Sequence, residues 1–373
     1  MSTLISAASR IVIKIGSALV SEDRAPRSNW LASLASDMSG LTKAGKDIIL
    51  VSSGAIALGR EALGPHKPRK LEEKQAAAAF GQPRLIQALE AAFAPHGLPV
   101  AQSLITLDDT ETRRRWLNAR ATLETILSAG GLPVINENDT VATDEIRYGD
   151  NDRLAARVAQ MLKADLLILL SDVDGLYTAD PRKNPAATHL PHLTELTPDV
   201  EAMAGAANSE TGVGSGGMAT KIAAAKIAIS AGCTTLIADG RAEHPIAALQ
   251  AGARHTVIAA PLTPADARRH WLASHLKPEG EIRVDQGAAR ALADGASLLP
   301  VGVTGVTGAF ERGAAVDVAG PAGAVIAKGV TAYSSRDIAA IMGLKSDAVE
   351  SALGYRGRPA IVHRDDIVLV TAK

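Results

Sequence analysis

The sequence predicts a three-layer α/β sandwich around a mainly parallel sheet, followed by a small, mostly β domain. Three observations carry that reading. Short apolar runs alternate with stretches of helical periodicity over residues 1–260; a proline-bracketed break follows; and the remainder combines many glycines with period-two alternation.

The apolar runs are residues 11–15, 48–51, 132–135, 166–170 and 235–238. Each is short and nearly continuous, the pattern of a strand covered by helices on both faces. Residues 119–127, 154–162 and 219–229 place apolar side chains three and four apart, which predicts helices between the strands. Pro261, Pro264 and Pro278 then bracket a helix-like piece containing Trp271. Beyond it, residues 281–285 alternate, and further strand-like runs follow at 314–318, 325–327 and 367–370, with one or two short helices. The expected organisation is a large domain over 1–260, a linker over 261–280 and a second domain over 281–373.

At 373 residues the chain is too long for one ordinary core, and 47% hydrophobic with 21% charged residues is globular composition. The 39 basic residues nearly balance the 40 acidic ones, which argues against an electrostatic footprint for nucleic acid over the whole protein. Cys233 is the only cysteine, so no intrachain disulfide can form, and a reducing compartment fits. With no histidine beside it in sequence, Cys233 reads as a packing thiol. The run at 11–15 contains Lys14, and no apolar stretch approaches the roughly 20 residues of a spanning helix. The expectation is a soluble, cytoplasmic protein.

Three loops have the composition of phosphate sites. Lys14-Ile15-Gly16-Ser17 leaves the first strand, where a lysine inside an apolar run either meets an anion or snorkels from the strand end. Val51-Ser52-Ser53-Gly54-Ala55 reads as a strand turning into a helix start, which suits an anion or a simple N-cap. Residues 212–221 hold four glycines in six positions, then Lys221 in the first turn of a helix. They match G-x-G-x-x-G, and Asp239 lies at a fitting distance for a dinucleotide ribose. That fingerprint must follow a strand directly. Residues 197–211 are polar and rich in alanine and glycine, and they read as a loop, so the dinucleotide reading fails.

The polar loops opposite suit an acceptor. Asn136-Glu137-Asn138-Asp139-Thr140 follows one strand, and Gly149-Asp150-Asn151-Asp152 opens a helix; their amides and carboxylates fit a small ligand carrying an ammonium and a carboxylate. Asn151 and Asp152 also have the spacing of helix caps. Ser171-Asp172 sits at another strand end, where nucleotides bind in open α/β sheets.

Taken in order with Gly175-Leu176-Tyr177-Thr178-Ala179-Asp180-Pro181, these motifs closely resemble the amino acid kinase family. The tail resembles a PUA domain through Gly308-Ala309-Phe310-Glu311-Arg312-Gly313 and His363-Arg364-Asp365-Asp366. The resemblance covers essentially the whole chain. It implies ATP-dependent phosphorylation of the γ-carboxylate of L-glutamate, the first step of proline biosynthesis, with Mg²⁺ accompanying ATP and no dedicated metal cage. It implies that Lys14 and Lys221 contact the transferred phosphoryl group and that Asp152 orients them. Ser53, Asp139 and Asn151 would hold glutamate. Lys14, Ser171, Asp172, Ser215, Gly216, Gly217, Met218, Ala219, Thr220 and Lys221 would line the ATP site. Ser171 stands where the family often has threonine; the hydroxyl is kept. Feedback inhibition by proline and a homo-oligomer are further implications. A related kinase of aspartate or N-acetylglutamate is the nearest alternative, and RNA binding through residues 281–373 is a second. That segment balances its basic and acidic residues and offers only Phe310, Tyr333 and Tyr355 for stacking, which favours a structural or regulatory role.

Overall fold

The computed structural model describes residues 2–64, 68–142, 150–206, 217–275 and 277–370. The chain divides into two compact units, Met1–Pro264 and Ala265–Lys373.

The main-sheet strands of the first unit are β1 (Arg10–Ile15), β2 (Asp47–Ser52), β3 (Val100–Ile105), β4 (Leu132–Glu137), β5 (Leu166–Ser171), β6 (His192–Leu193), β7 (Thr234–Asp239) and β8 (His255–Ile258). They form one eight-stranded sheet in the order β6-β8-β7-β5-β1-β2-β4-β3, parallel throughout except between β7 and β8. Its longer helices are α1 (Ser28–Lys43), α2 (Leu71–Phe93), α3 (Arg113–Ser128), α4 (Asp150–Leu162), α5 (Pro198–Ala206) and α6 (Met218–Ser230).

Alternation along β1 decides where the chemistry goes. Ile11, Ile13 and Ile15 face a core shared with Leu31, Leu34 and Met38 of α1 and with Leu85 and Leu89 of α2. Val12 faces the opposite core, built from α4 and α6. Side chains two apart share a face, so Lys14 emerges among α4 and α6 as well. Those two helices meet the sheet through Ala155, Ala156 and Ala159 on one and Ala224, Ala225 and Ala228 on the other, all fully buried. Small side chains let the helix axes come close, which brings both first turns over the end of β1.

The polar stretch before the glycine run differs from its reading as a loop. Residues 198–206 form α5, with Pro198 in the first turn, Asp199 and Glu201 near the start, and the Val200 amide donating to Thr197 Oγ1 at 3.4 Å. Its alanines and glycine mask the helical signal, and the capping chemistry at Thr197-Pro198 is what starts it. Residues 207–216, including most of the glycine run, lie outside the described residues.

The second unit begins with α7 (Pro264–His275), within the segment read as a linker. It holds a five-stranded sheet of β9 (Gly280–Val284), β10 (Val303–Thr307), β11 (Ala315–Ala319), β12 (Val325–Thr331) and β13 (Val362–Leu369), in the order β10-β9-β11-β12-β13. Ile282, Val284, Val316, Val318, Tyr333 and Ile338 fill its own core. Cys233 is fully buried in the first unit, and burial pushes its thiol well above the ordinary range, so it is chemically quiet. Among the described residues no helix is long and apolar enough to cross a membrane.

Candidate active site

The described parts of the loops around Lys14, Ser53, Asn136, Asp152, Ser171 and Lys221 gather beyond the carboxyl ends of β1, β2, β4 and β5. Register places them there: Lys14 lies level with Val51 of β2 and Leu169 of β5, and Val51 lies level with Ile135 of β4. Beyond that row the strands run out into polar residues.

At its centre stands Asp152, in the first turn of α4 and fully buried. Lys14 Nζ lies 2.6 Å from its Oδ1, and Lys221 Nζ lies 3.7 Å from its Oδ2. Thr220 Oγ1 donates to the same Oδ2 at 2.9 Å. Both lysines are almost wholly buried, at 5% and 3% exposure, which would be costly for unpaired ammoniums. Burial pushes the Asp152 carboxyl up, but Lys14 and Lys221, with the hydrogen bonds from Lys14 and Thr220, outweigh it and hold the group below the usual carboxylate range. Lys221 moves down because burial disfavours its charge; Asp152 opposes that shift, Lys14 adds to it, and Asp172 opposes it again. Two buried cations thus flank the Asp152 carboxylate, a pair of positive charges suited to an incoming phosphate.

One residue earlier in α4, Asn151 belongs to a neutral network. Its Nδ2 donates to Ser53 Oγ at 2.9 Å and to Asn136 Oδ1 at 3.1 Å. The Glu137 amide donates to Asn136 Oδ1 at 2.9 Å and to Asn151 Oδ1 at 3.3 Å. Asn136 Nδ2 donates onward to Gln82 Oε1 of α2 at 2.8 Å. Ser53 sits at the turn leaving β2, where Gly54 takes φ +111° and a Cβ would meet the Val20 side chain at 3.2 Å. Glycine is needed there for the chain to enter the helix Ala55–Gly59.

Ser171, at the end of β5, is buried, and its Oγ accepts from the Val173 amide at 3.4 Å; Asp172 beside it is exposed. Gly217 caps α6, its carbonyl lying 2.8 Å from Thr220 Oγ1 and sharing that hydroxyl's one proton with Asp152, and Met218, Ala219, Thr220 and Lys221 form the first turn. Asp139 is half-buried in the turn after β4. Ser215 and Gly216 lie outside the described residues. The sequence reading placed Asn136 in the acceptor loop without giving it a role of its own, and it did not single out Gln82. Asn136 had a signal, a polar side chain ending an apolar run; Gln82 had none, because its partner is 54 residues away.

Residues 9–239 match the amino acid kinase family, and residues 280–353 match the PUA domain. The chain belongs to the amino acid kinase family. This amino acid kinase is 56% identical over 366 residues to a glutamate 5-kinase of Caulobacter vibrioides, covering 97% of each chain. It is 54% identical to a glutamate 5-kinase of Paramagnetospirillum magneticum, over 98% of this kinase and 99% of that protein. A third glutamate 5-kinase, from a Ruegeria species, is 53% identical over the same shares.

Proposed function

We propose that this kinase transfers the terminal phosphoryl group of ATP to the γ-carboxylate of L-glutamate, giving ADP and γ-glutamyl phosphate. The observation that carries the reading is the adjacency, through Asn151 and Asp152, of a buried two-lysine clamp and a set of neutral donors. Near-full-length identity to glutamate 5-kinases supports the choice of acceptor.

The nucleophile needs no base. A glutamate side chain has an ordinary pKa of about 4.3 and is ionised at pH 7. What remains is to bring two anions together and to spread the charge on the group in flight. Lys14 and Lys221 meet the transferred phosphoryl group, and Asp152 with Thr220 holds both ammoniums in place. Ser53, Asp139 and Asn151 hold glutamate. Because Ser53 Oγ accepts from Asn151, its own O–H is left to donate, which suits a carboxylate. Ser171, Asp172 and residues 215–221 line the nucleotide, and Mg²⁺ enters with ATP as part of the substrate. Proline acts as a feedback inhibitor, and the working form is a homo-oligomer.

The test is ADP release with glutamate, aspartate and N-acetylglutamate as competing acceptors, each with and without proline, and with hydroxylamine present to trap an acyl phosphate. Preferential turnover of glutamate with a hydroxamate product is expected. Preference for either other acceptor would overturn the assignment.

A further inference from the structure

We propose that Gln82 is a positioning residue for the acceptor, setting the orientation of the amide network that ends at Ser53; this rests on the acceptor assignment above.

Direction in this network is dictated by one group that cannot be reversed. A backbone amide can only donate, so the atoms facing the Glu137 N–H must be the oxygens of Asn136 and Asn151. Both side-chain amides are thereby oriented. Asn151 Nδ2 must face Asn136 Oδ1 and Ser53 Oγ, and both of its N–H groups are used. Asn136 Nδ2 must face α2, where only an acceptor can satisfy it. Gln82 Oε1 is that acceptor. Without it a donor would be left unsatisfied beside a fully buried strand end, and the Asn136 amide would gain by rotating. Rotation would set Nδ2 against the Glu137 N–H and Asn151 Nδ2, donor against donor.

Gln82 is also held at a set distance from Ser53. Its neighbour Gly81 packs backbone to backbone on the helix Ala55–Gly59: a Cβ on Gly81 would lie 1.7 Å from Ala55 O, and one on Gly59 would lie 1.9 Å from Ala77 O. Ala55 is two residues from Ser53, and Gly81 is one from Gln82. One glycine contact therefore spaces the two ends of the network. Seven residues before Gln82 on the same face of α2, Gln75 Nε2 donates to Ala142 O at 3.1 Å, tying the helix to the turn that carries Asp139.

The experiment separates acceptor from donor at position 82. Gln82→Met keeps the size but offers no oxygen, whereas Gln82→Glu keeps an oxygen facing Asn136. Gln82→Met is expected to raise the glutamate KM on the order of tenfold, with ATP KM and kcat held within about twofold. Gln82→Glu is expected to restore a near wild-type glutamate KM. Should Gln82→Met not fold, Gln82→Leu carries the same expectation. An unshifted glutamate KM in the apolar variant, an equal rise in ATP KM, or failure of Gln82→Glu to restore binding would overturn the proposal alone. Absence of wild-type turnover with glutamate would overturn the functional reading beneath it.

Discussion

Around Asp152 the site is charged, dry and built from three ionised side chains; around Asn151, one residue earlier in the same helix, it is neutral and built from directed hydrogen bonds. A turn of about 100° per residue sends the two neighbours to different partners. The charged half works by field strength, which grows as water is excluded and tolerates some looseness in angle. The neutral half works by direction: a single backbone N–H at Glu137 orients the amides of Asn136 and Asn151, and Asn151 carries that orientation to Ser53. Phosphoryl transfer needs the first kind of site and recognition of a small carboxylate needs the second.

The contrast predicts different kinetic signatures on the two sides. Lys221→Ala should have the largest effect, lowering kcat by about 10²- to 10³-fold with a small change in glutamate KM, as expected on removing a group aimed at transition-state charge. Steady-state turnover of the purified variant checks this, and unchanged kcat would remove Lys221 from the clamp. Asn151→Ala should move the other parameter: glutamate KM rises on the order of tenfold while ATP KM stays near wild type. Equal shifts in both constants would mean that the halves are not separable.

The smallest expected effect lies in stability against pH. The folded pKa of Asp152 is below its ordinary value, so its stabilisation is fully present above the unfolded pKa of about 3.9. It is lost as pH falls through the lower folded value. The melting-temperature advantage of wild type over Asp152→Asn should therefore be constant from neutral pH to mildly acidic pH and shrink below about pH 4. An advantage that shrinks already near neutrality would contradict a carboxylate held ionised by two lysines.

Much of this architecture is visible before folding. Lys14 stands out as a cation in an apolar strand, and period-two alternation alone assigns it to the face of Val12. Short apolar runs reveal the parallel strands because burial on both faces removes polar residues from them. Helix α5 was hidden, since its start depends on Thr197 and Pro198 and its later residues carry almost no amphipathic pattern.

What the sequence by itself determined was five of the sheet's eight strands, the face on which Lys14 emerges, and the polar loops at the strand ends, because these follow from spacing within a few residues; Val100–Ile105, His192–Leu193 and His255–Ile258 were not among its apolar runs. Only the tertiary structure decided that Lys14, Thr220 and Lys221 converge on one carboxylate, and that Asn136 and Gln82 extend the Ser53–Asn151 pair. Those partners come from two strands and from separate helices docked through small residues, at Ala155 against the sheet and Gly81 against Ala55. Hydrogen bonds and ion pairs act over a few ångströms of space, whatever the distance along the chain, so no local pattern records them.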